Sequence, residues 1–200
     1  MAGARLNARV ARCYRAPVKI EPRQAEAFLK KPDSKIRAVV IYGNDDGLIA
    51  ERATQLAKTV CEDLKDPFRV VDIAGDALKA DPARLADEFG AMSLMGGRRL
   101  VRLRLAGEKA GPDKQAAEAL TRHVEGQLNP DAFFLVEAGA LGRDSQLRKV
   151  GEKAGGCAVI PCYEDEAGDL ARLTRDTLAN DKVSLNSEAL DLFEIGRAHV

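Results

Sequence analysis

The hydrophobic pattern divides the chain into alternating blocks. Ala38 to Tyr42 is an unbroken apolar run, the signature of a strand covered on both faces. A turn, Gly43-Asn44-Asp45-Asp46-Gly47, follows it. Apolar residues then recur at Leu48/Ile49, Ala53, Leu56/Ala57 and Val60, the spacing of a helix with one buried stripe. Ahead of this unit, Pro22 to Lys31 reads as a short helix with Ala25, Phe28 and Leu29 on one side, ended by Pro32-Asp33-Ser34. After it, Phe68 to Ile73 reads as a second strand. Asp81-Pro82 starts a helix through Leu85 and Phe89, with a capping acid followed by proline at the first helical position.

Arg98 to Leu105 alternates, with Val101, Leu103 and Leu105 on one face and Arg102 and Arg104 on the other, which predicts a strand less enclosed than its neighbours. Gly111-Pro112 breaks the chain, Asp113 opens a helix through Ala117, Leu120 and Val124 to Leu128, and Asn129-Pro130 stops it. Ala132 to Ala138 is a fourth strand, apolar on both faces. A helix from about Asp144 uses Leu147, Val150 and Ala154 and ends at Gly155-Gly156. Cys157 to Tyr163 is a fifth strand, in which Pro161 marks an edge or an exit. Helical spacing alone follows, over Glu164 to Asn180 and from Ser187 to Phe193. Strands alternating with helices and then helices alone predict an α/β fold: a parallel five-stranded sheet with helices on both faces, followed by the start of a small helical domain.

The ends read differently. Residues 1–17 carry Arg5, Arg9, Arg12 and Arg15 and no acid. That pattern fits a basic arm for nucleic acid or anionic lipid, a transit peptide, or an over-long start assignment, and the last is favoured because recognisable structure begins at Val18. The domains are therefore expected to be 1–17 as a poorly ordered or mis-assigned arm, 18–163 as the α/β domain, 164–193 as part of a helical domain, and 194–200 as a foreign tail. The tail reads like translated adapter sequence.

Composition narrows the function. At 46% hydrophobic and 31% charged, the chain has the makeup of a soluble globular protein, and Lys+Arg equals Asp+Glu at 31 each, so no global basic field announces a nucleic-acid binder. No apolar run approaches the ~20 residues of a membrane helix. The cysteines Cys13, Cys61, Cys157 and Cys162 form no C-x-x-C pair, so no metal site is expected and buried thiols in a reducing cytoplasm are the reading.

The turn at Gly43–Gly47 occupies the place of a phosphate loop without its chemistry. In the pattern G-x-x-x-x-G-K-[ST], the second glycine falls on Leu48 and the lysine on Ile49, while Asp45 and Asp46 sit where a polyphosphate would lie. No acidic pair closes the Arg98–Leu105 strand, Glu137 ends its strand alone, His123 reads as a solvated surface residue, and Arg143 and Arg148 as solvated arginines. No catalytic residue and no cofactor is assigned. Leu94 and Met95, after Ser93 and before Gly96-Gly97, fit two readings on residues alone: ordinary core closing a helix onto the sheet, or an apolar tip for a partner.

Taken in order, these elements resemble the delta subunit of bacterial DNA polymerase III, the clamp-loader subunit that opens the sliding clamp. Tyr42-Gly43-Asn44-Asp45 with its helix is similar to the family's eroded phosphate loop, Ala91-Met92-Ser93-Leu94-Met95 to its clamp-binding segment, and the helical opening after Tyr163 to the start of its lid-like domain. The resemblance covers residues 18–193 and implies a RecA/AAA+-like fold, a non-catalytic role and no ATPase site of its own. It implies that Leu94 and Met95 form a hydrophobic wedge, positioned by Ser93, that enters a pocket on the clamp. Met95 stands where the family often has an aromatic, and methionine adapts to irregular pockets. Implied partners are the sliding clamp (beta subunit), other loader subunits through a missing C-terminal collar domain, and DNA indirectly, all in the cytoplasm. Two enzyme readings compete: a nucleotide-dependent enzyme using Gly43–Gly47 for phosphate, and a Rossmann-like cofactor enzyme, which the absence of G-x-G-x-x-G opposes.

Overall fold

A computed structural model describes residues 18–91, 96–105 and 111–163, together with 178, 183, 184, 186 and 189. In chain order the elements are β1 (Val18–Lys19), α1 (Pro22–Lys30), β2 (Ala38–Gly43), α2 (Asp46–Val60), β3 (Val70–Ala74), α3 (Gly75–Ala80), α4 (Arg84–Gly90), β4 (Arg99–Leu105), α5 (Gly111–Val124), β5 (Ala132–Ala138), α6 (Gln146–Gly151) and β6 (Cys157–Cys162). The strands form one sheet in the order β1-β6-β2-β5-β4-β3, and every pairing is parallel. The five strands expected from the hydrophobic runs are present. Val18–Lys19 adds a short sixth at the edge, paired with Ala158 and Val159. Pro161 lies beyond that pairing, where its missing N–H deprives no neighbour of a bond.

Because side chains alternate along each strand, the sheet feeds two cores. Ala38, Val40 and Tyr42 of β2 and Phe134 and Val136 of β5 point toward α3, α4, α5 and α6, where Leu78, Phe89, Leu120 and Leu147 meet them. Val39 and Ile41 with Phe133 and Leu135 point the other way, onto Leu29 of α1 and Ile49, Ala53 and Leu56 of α2. A side chain the size of Leu56, wholly buried, contributes about 1.5–3 kcal/mol. This two-sided burial is why β2 and β6 are apolar throughout and β5 is apolar but for Glu137.

Several local expectations are corrected. The strand β4 is not a less enclosed one: it lies between β5 and β3, and Arg102 is only 6% exposed. A helix absent from the hydrophobic pattern, α3, occupies Gly75–Ala80, and Asp81 turns back to accept from the Ala83 N–H (3.1 Å) ahead of α4. Gly111 and Pro112 do not break the chain before a helix but form the first turn of α5, where proline's missing N–H is no loss. That helix ends at Val124, not Leu128. Gly126 takes φ +78°, the Gly126 N–H donates to the His123 carbonyl (3.1 Å), and the Gln127 N–H to the Arg122 carbonyl (2.9 Å), a glycine-stopped helix end. Asp113 does not serve its own helix alone. Its carboxylate accepts from Ser145 Oγ (2.6 Å) and from the Gln146 and Leu147 N–H groups (2.7 and 3.3 Å), so it caps α6.

The chain divides after Cys162 into two compact units. In the second, the Val183 N–H donates to the Leu178 carbonyl (2.9 Å), and Asn186 Oδ1 accepts from the Ala189 N–H (2.8 Å), the bond of a helix cap. The other residues expected to form helices after Tyr163, the arm 1–17 and the tail 194–200 lie outside the described residues. No described helix is long and apolar enough to cross a membrane.

Candidate functional site

The position to test chemically is the turn between β2 and α2, at the carboxyl edge of the sheet. Gly43 is the last residue of β2, pressed so close to β6 that a Cβ on it would lie 1.5 Å from the Cys162 carbonyl oxygen. Only glycine fits. The same oxygen accepts from the Asn44 N–H (3.0 Å) and the Asp45 N–H (3.4 Å). Asp45 is the N-cap of α2, its carboxylate accepting from the Leu48 N–H (2.8 Å). Its carbonyl accepts from the Ile49 N–H (3.0 Å). Asp46 and Gly47 are exposed in the first turn. One turn further on, Arg52 donates through Nη1 to the Pro161 carbonyl (3.2 Å) and lies 3.3 Å from Cys162 Sγ.

These bonds define what the turn can do. A phosphate loop presents free backbone N–H groups and a lysine to an anion. Here three of those N–H groups donate to the chain's own carbonyl and carboxylate, and the nearby cation is turned onto β6. Asp45 thus acts as a helix cap, and Asp46 adds a second negative charge at the same end.

The neighbouring strands carry a second polar cluster on the α2 side of the sheet. Arg102 donates through Nε and Nη2 to Glu137 Oε1 (3.1 and 2.8 Å), and Asp72 Oδ1 stands 3.5 Å from both Arg102 and Arg104. Arg104 Nε approaches Glu137 at 3.6 Å. Glu137 therefore does not end its strand alone. It neutralises the buried guanidinium of Arg102 on the next strand, two residues from Arg104, which the register sets opposite Glu137. Arg148 is likewise not solvated: it is half-buried, bonded to Glu152 (2.9 Å) and placed over the Tyr42 ring.

His123 is a further correction. It has no exposed surface, stacks on Phe89 with ring centroids 4.7 Å apart, and its Nε2 lies 3.2 Å from the Arg37 carbonyl. Burial, reinforced by the charges of Arg37 and then Arg98, pulls its pKa down to about 4, so the ring is neutral at neutral pH. Cys61, Cys157 and Cys162 are buried free thiols, and burial pushes Cys157 up to about 12. Cys13 lies outside the described residues. Among the described residues no group of three His, Cys, Asp or Glu side chains gathers to hold a metal. Ser93, Leu94 and Met95, the residues assigned to the clamp, also lie outside the described residues. The nearest described residues on either side, Ala91 and Gly96, are exposed.

A parallel sheet in this order, with helices on both faces and a glycine turn after its central strand β2, defines a doubly wound α/β domain. The chain belongs to the family of DNA polymerase III delta subunits, whose model matches residues 40–151, over half of the 200 residues. Among solved structures, the DNA clamp loader delta protein of Bacillus subtilis is similar in fold, with a TM-score of 0.62 at 19% identity over 85% of this chain and 50% of that one. The chain thus spans about half the length of that relative. A DNA polymerase III gamma subunit-related protein of Thermotoga maritima aligns with a TM-score of 0.45 at 15% identity, over 76% of this chain and 49% of that one. No curated protein matches the sequence.

Proposed function

We propose that the chain acts as a non-catalytic clamp-loader subunit that binds the sliding clamp and favours its open form, while other subunits bind and hydrolyse ATP. The observation that carries this reading is the turn at Gly43–Gly47, whose anion-binding groups are already bonded within the protein in a chain of the delta family. An incoming polyphosphate would have to displace the Cys162 carbonyl and meet the charges of Asp45 and Asp46. At roughly 4 Å and an effective dielectric of about 20, each such like-charge encounter costs about 4 kcal/mol. Such a subunit works by differential affinity: it shifts the ring toward opening only as far as it binds the open form more tightly.

The proposed contact is Leu94 and Met95, positioned by Ser93. Two large apolar side chains desolvated in a pocket contribute about 1.5–3 kcal/mol each. The double substitution Leu94→Ala/Met95→Ala is therefore expected to weaken binding to the cognate clamp by about 100-fold or more. Biolayer interferometry against immobilised clamp reads this directly, and an unchanged affinity removes the wedge assignment. Calorimetric titration with ATP and Mg²⁺ supplies the second arm. No saturable heat is expected, and tight stoichiometric binding would return the chain to the nucleotide-dependent enzymes.

A further inference from the structure

Because the strands are parallel, their amino ends share the edge of the sheet opposite Gly43. Three of the residues leading into strands there are arginines: Arg37 before β2, Arg69 before β3 and Arg98 before β4. They are joined to one another. Arg98 Nη2 donates to the Ile36 carbonyl (3.4 Å), beside Arg37, and Arg69 donates through Nε and Nη2 to the Arg98 carbonyl (3.3 Å each). The Arg98 guanidinium rests over the Phe133 ring, 4.9 Å from its centroid, which holds it in place.

Asp131 acts on Arg37 and Arg98 from a distance, and no described carboxylate closes on the cluster. None of the three arginines forms an ion pair with a described carboxylate. Arg37 Nη2 is buried with no hydrogen-bond partner, a costly state for a guanidinium N–H unless an acceptor arrives. Burial lowers the pKa of Arg98, and the repulsion of Arg37 adds to it by more than the pull of Asp131 offsets. Beside the cluster, Phe68 is 62% exposed, the most exposed large hydrophobic residue described. The surface also reaches Gly97. Arg69 Nη2 lies 3.3 Å from where a Cβ on Gly97 would stand, and Gly96 and Gly97 turn the chain into β4 with φ of +75° and +82°.

We propose that Arg37, Arg69 and Arg98, with the ring of Phe68, form a landing surface for acidic side chains on the partner protein that receives Leu94 and Met95. The identity of that partner rests on the clamp reading above. Carboxylates are the ligand because half-buried guanidiniums bind them in paired, charge-assisted hydrogen bonds, and arginine beside an exposed aromatic is the makeup of a protein interface. Asp131, within the field of Arg37 and Arg98, opposes a polyanionic duplex more than it opposes single carboxylates.

The test is association kinetics of the full chain with its cognate clamp across ionic strength, for wild type, Arg37→Gln, Arg98→Gln, Phe68→Ala and the reference variant Leu94→Ala/Met95→Ala. The wild-type on-rate is expected to fall several-fold with rising salt, both glutamine variants to lower it several-fold and flatten that dependence, and Phe68→Ala to speed dissociation several-fold. Arg98→Lys, which retains the charge, is expected to keep the salt dependence if Arg98→Gln fails to fold. A wild-type on-rate indifferent to salt overturns the surface without any variant. Glutamine variants with wild-type kinetics, while Leu94→Ala/Met95→Ala loses binding, overturn the surface and leave the clamp reading standing. Wild-type binding by Leu94→Ala/Met95→Ala overturns the wedge and leaves the salt dependence to judge the arginines. Loss of duplex DNA binding in place of clamp binding would also overturn it, in favour of a nucleic-acid site.

Discussion

At the carboxyl edge of the sheet, polar groups are answered from inside the chain. The Asn44 and Asp45 N–H groups bond to the Cys162 carbonyl, the Leu48 N–H to Asp45, Arg52 to the Pro161 carbonyl, and Arg102 to Glu137. At the amino edge, Arg37, Arg69 and Arg98 bond to no described carboxylate, and the buried Arg37 Nη2 finds no hydrogen-bond partner among the described residues. The contrast teaches where an outside ligand has most to offer: at the carboxyl edge the protein's own carbonyls, carboxylates and arginines already meet one another, and at the amino edge three arginines have no described carboxylate to pair with. The edge left with unanswered charge is the better candidate for a partner.

Three experiments strain this contrast, the most severe first. Gly43→Ala forces a methyl into the Cys162 carbonyl, where two backbones meet and neither side can move aside. A loss on the order of 3 kcal/mol or more, or no folded protein, is expected in thermal unfolding. A wild-type midpoint would mean that the turn is not sealed against β6.

Next, Glu137→Ala strands a buried guanidinium and is expected to cost about 3 kcal/mol in chemical denaturation, while the paired change Arg102→Met/Glu137→Leu recovers most of it. A single-variant cost near zero would place this cluster in water, and the two edges would then differ less than described.

The third probes the amino edge through His123. Its folded pKa of about 4 lies below the ordinary 6.5, so between these values the unfolded chain binds more protons than the native one. Stability is therefore complete above about pH 6.5 and is lost as pH falls toward 4, by about 2 kcal/mol between about pH 7 and pH 5. His123→Phe, which keeps a ring against Phe89, is expected to flatten that slope. An equal slope in both proteins would show that the histidine is not held neutral.

The hydrophobic pattern already contained much of this molecule. Ala38–Tyr42 and Ala132–Ala138 announce themselves as strands because burial on both faces removes every incentive for polar residues until Glu137. The missing lysine at Ile49 and the acids at Asp45 and Asp46 are equally plain. What Asp45 does is less so, since an acid opposing phosphate and an acid capping a helix are the same residue until the Leu48 N–H is found 2.8 Å away. The helix stop at Gly126 is a single glycine three residues ahead of Asn129-Pro130, a stronger local breaker, so the pattern alone runs the helix too far.

Arg102 and His123 mark the limit. Alternation of apolar and charged residues along β4 arises whether the charged face meets water or a carboxylate on the next strand, and Glu137 is 35 residues distant. His123 follows Arg122 on a polar stretch of α5, yet its ring is covered by Phe89 of α4 and its nitrogen by the residue that precedes β2. Periodicity is local: it records which side of an element is buried, and it fixed the five main strands, most of the helices and their order. Which charge meets which is set by register between strands far apart in the chain, so the buried ion pair, the neutral histidine and the arginines at the amino edge came only with the tertiary structure.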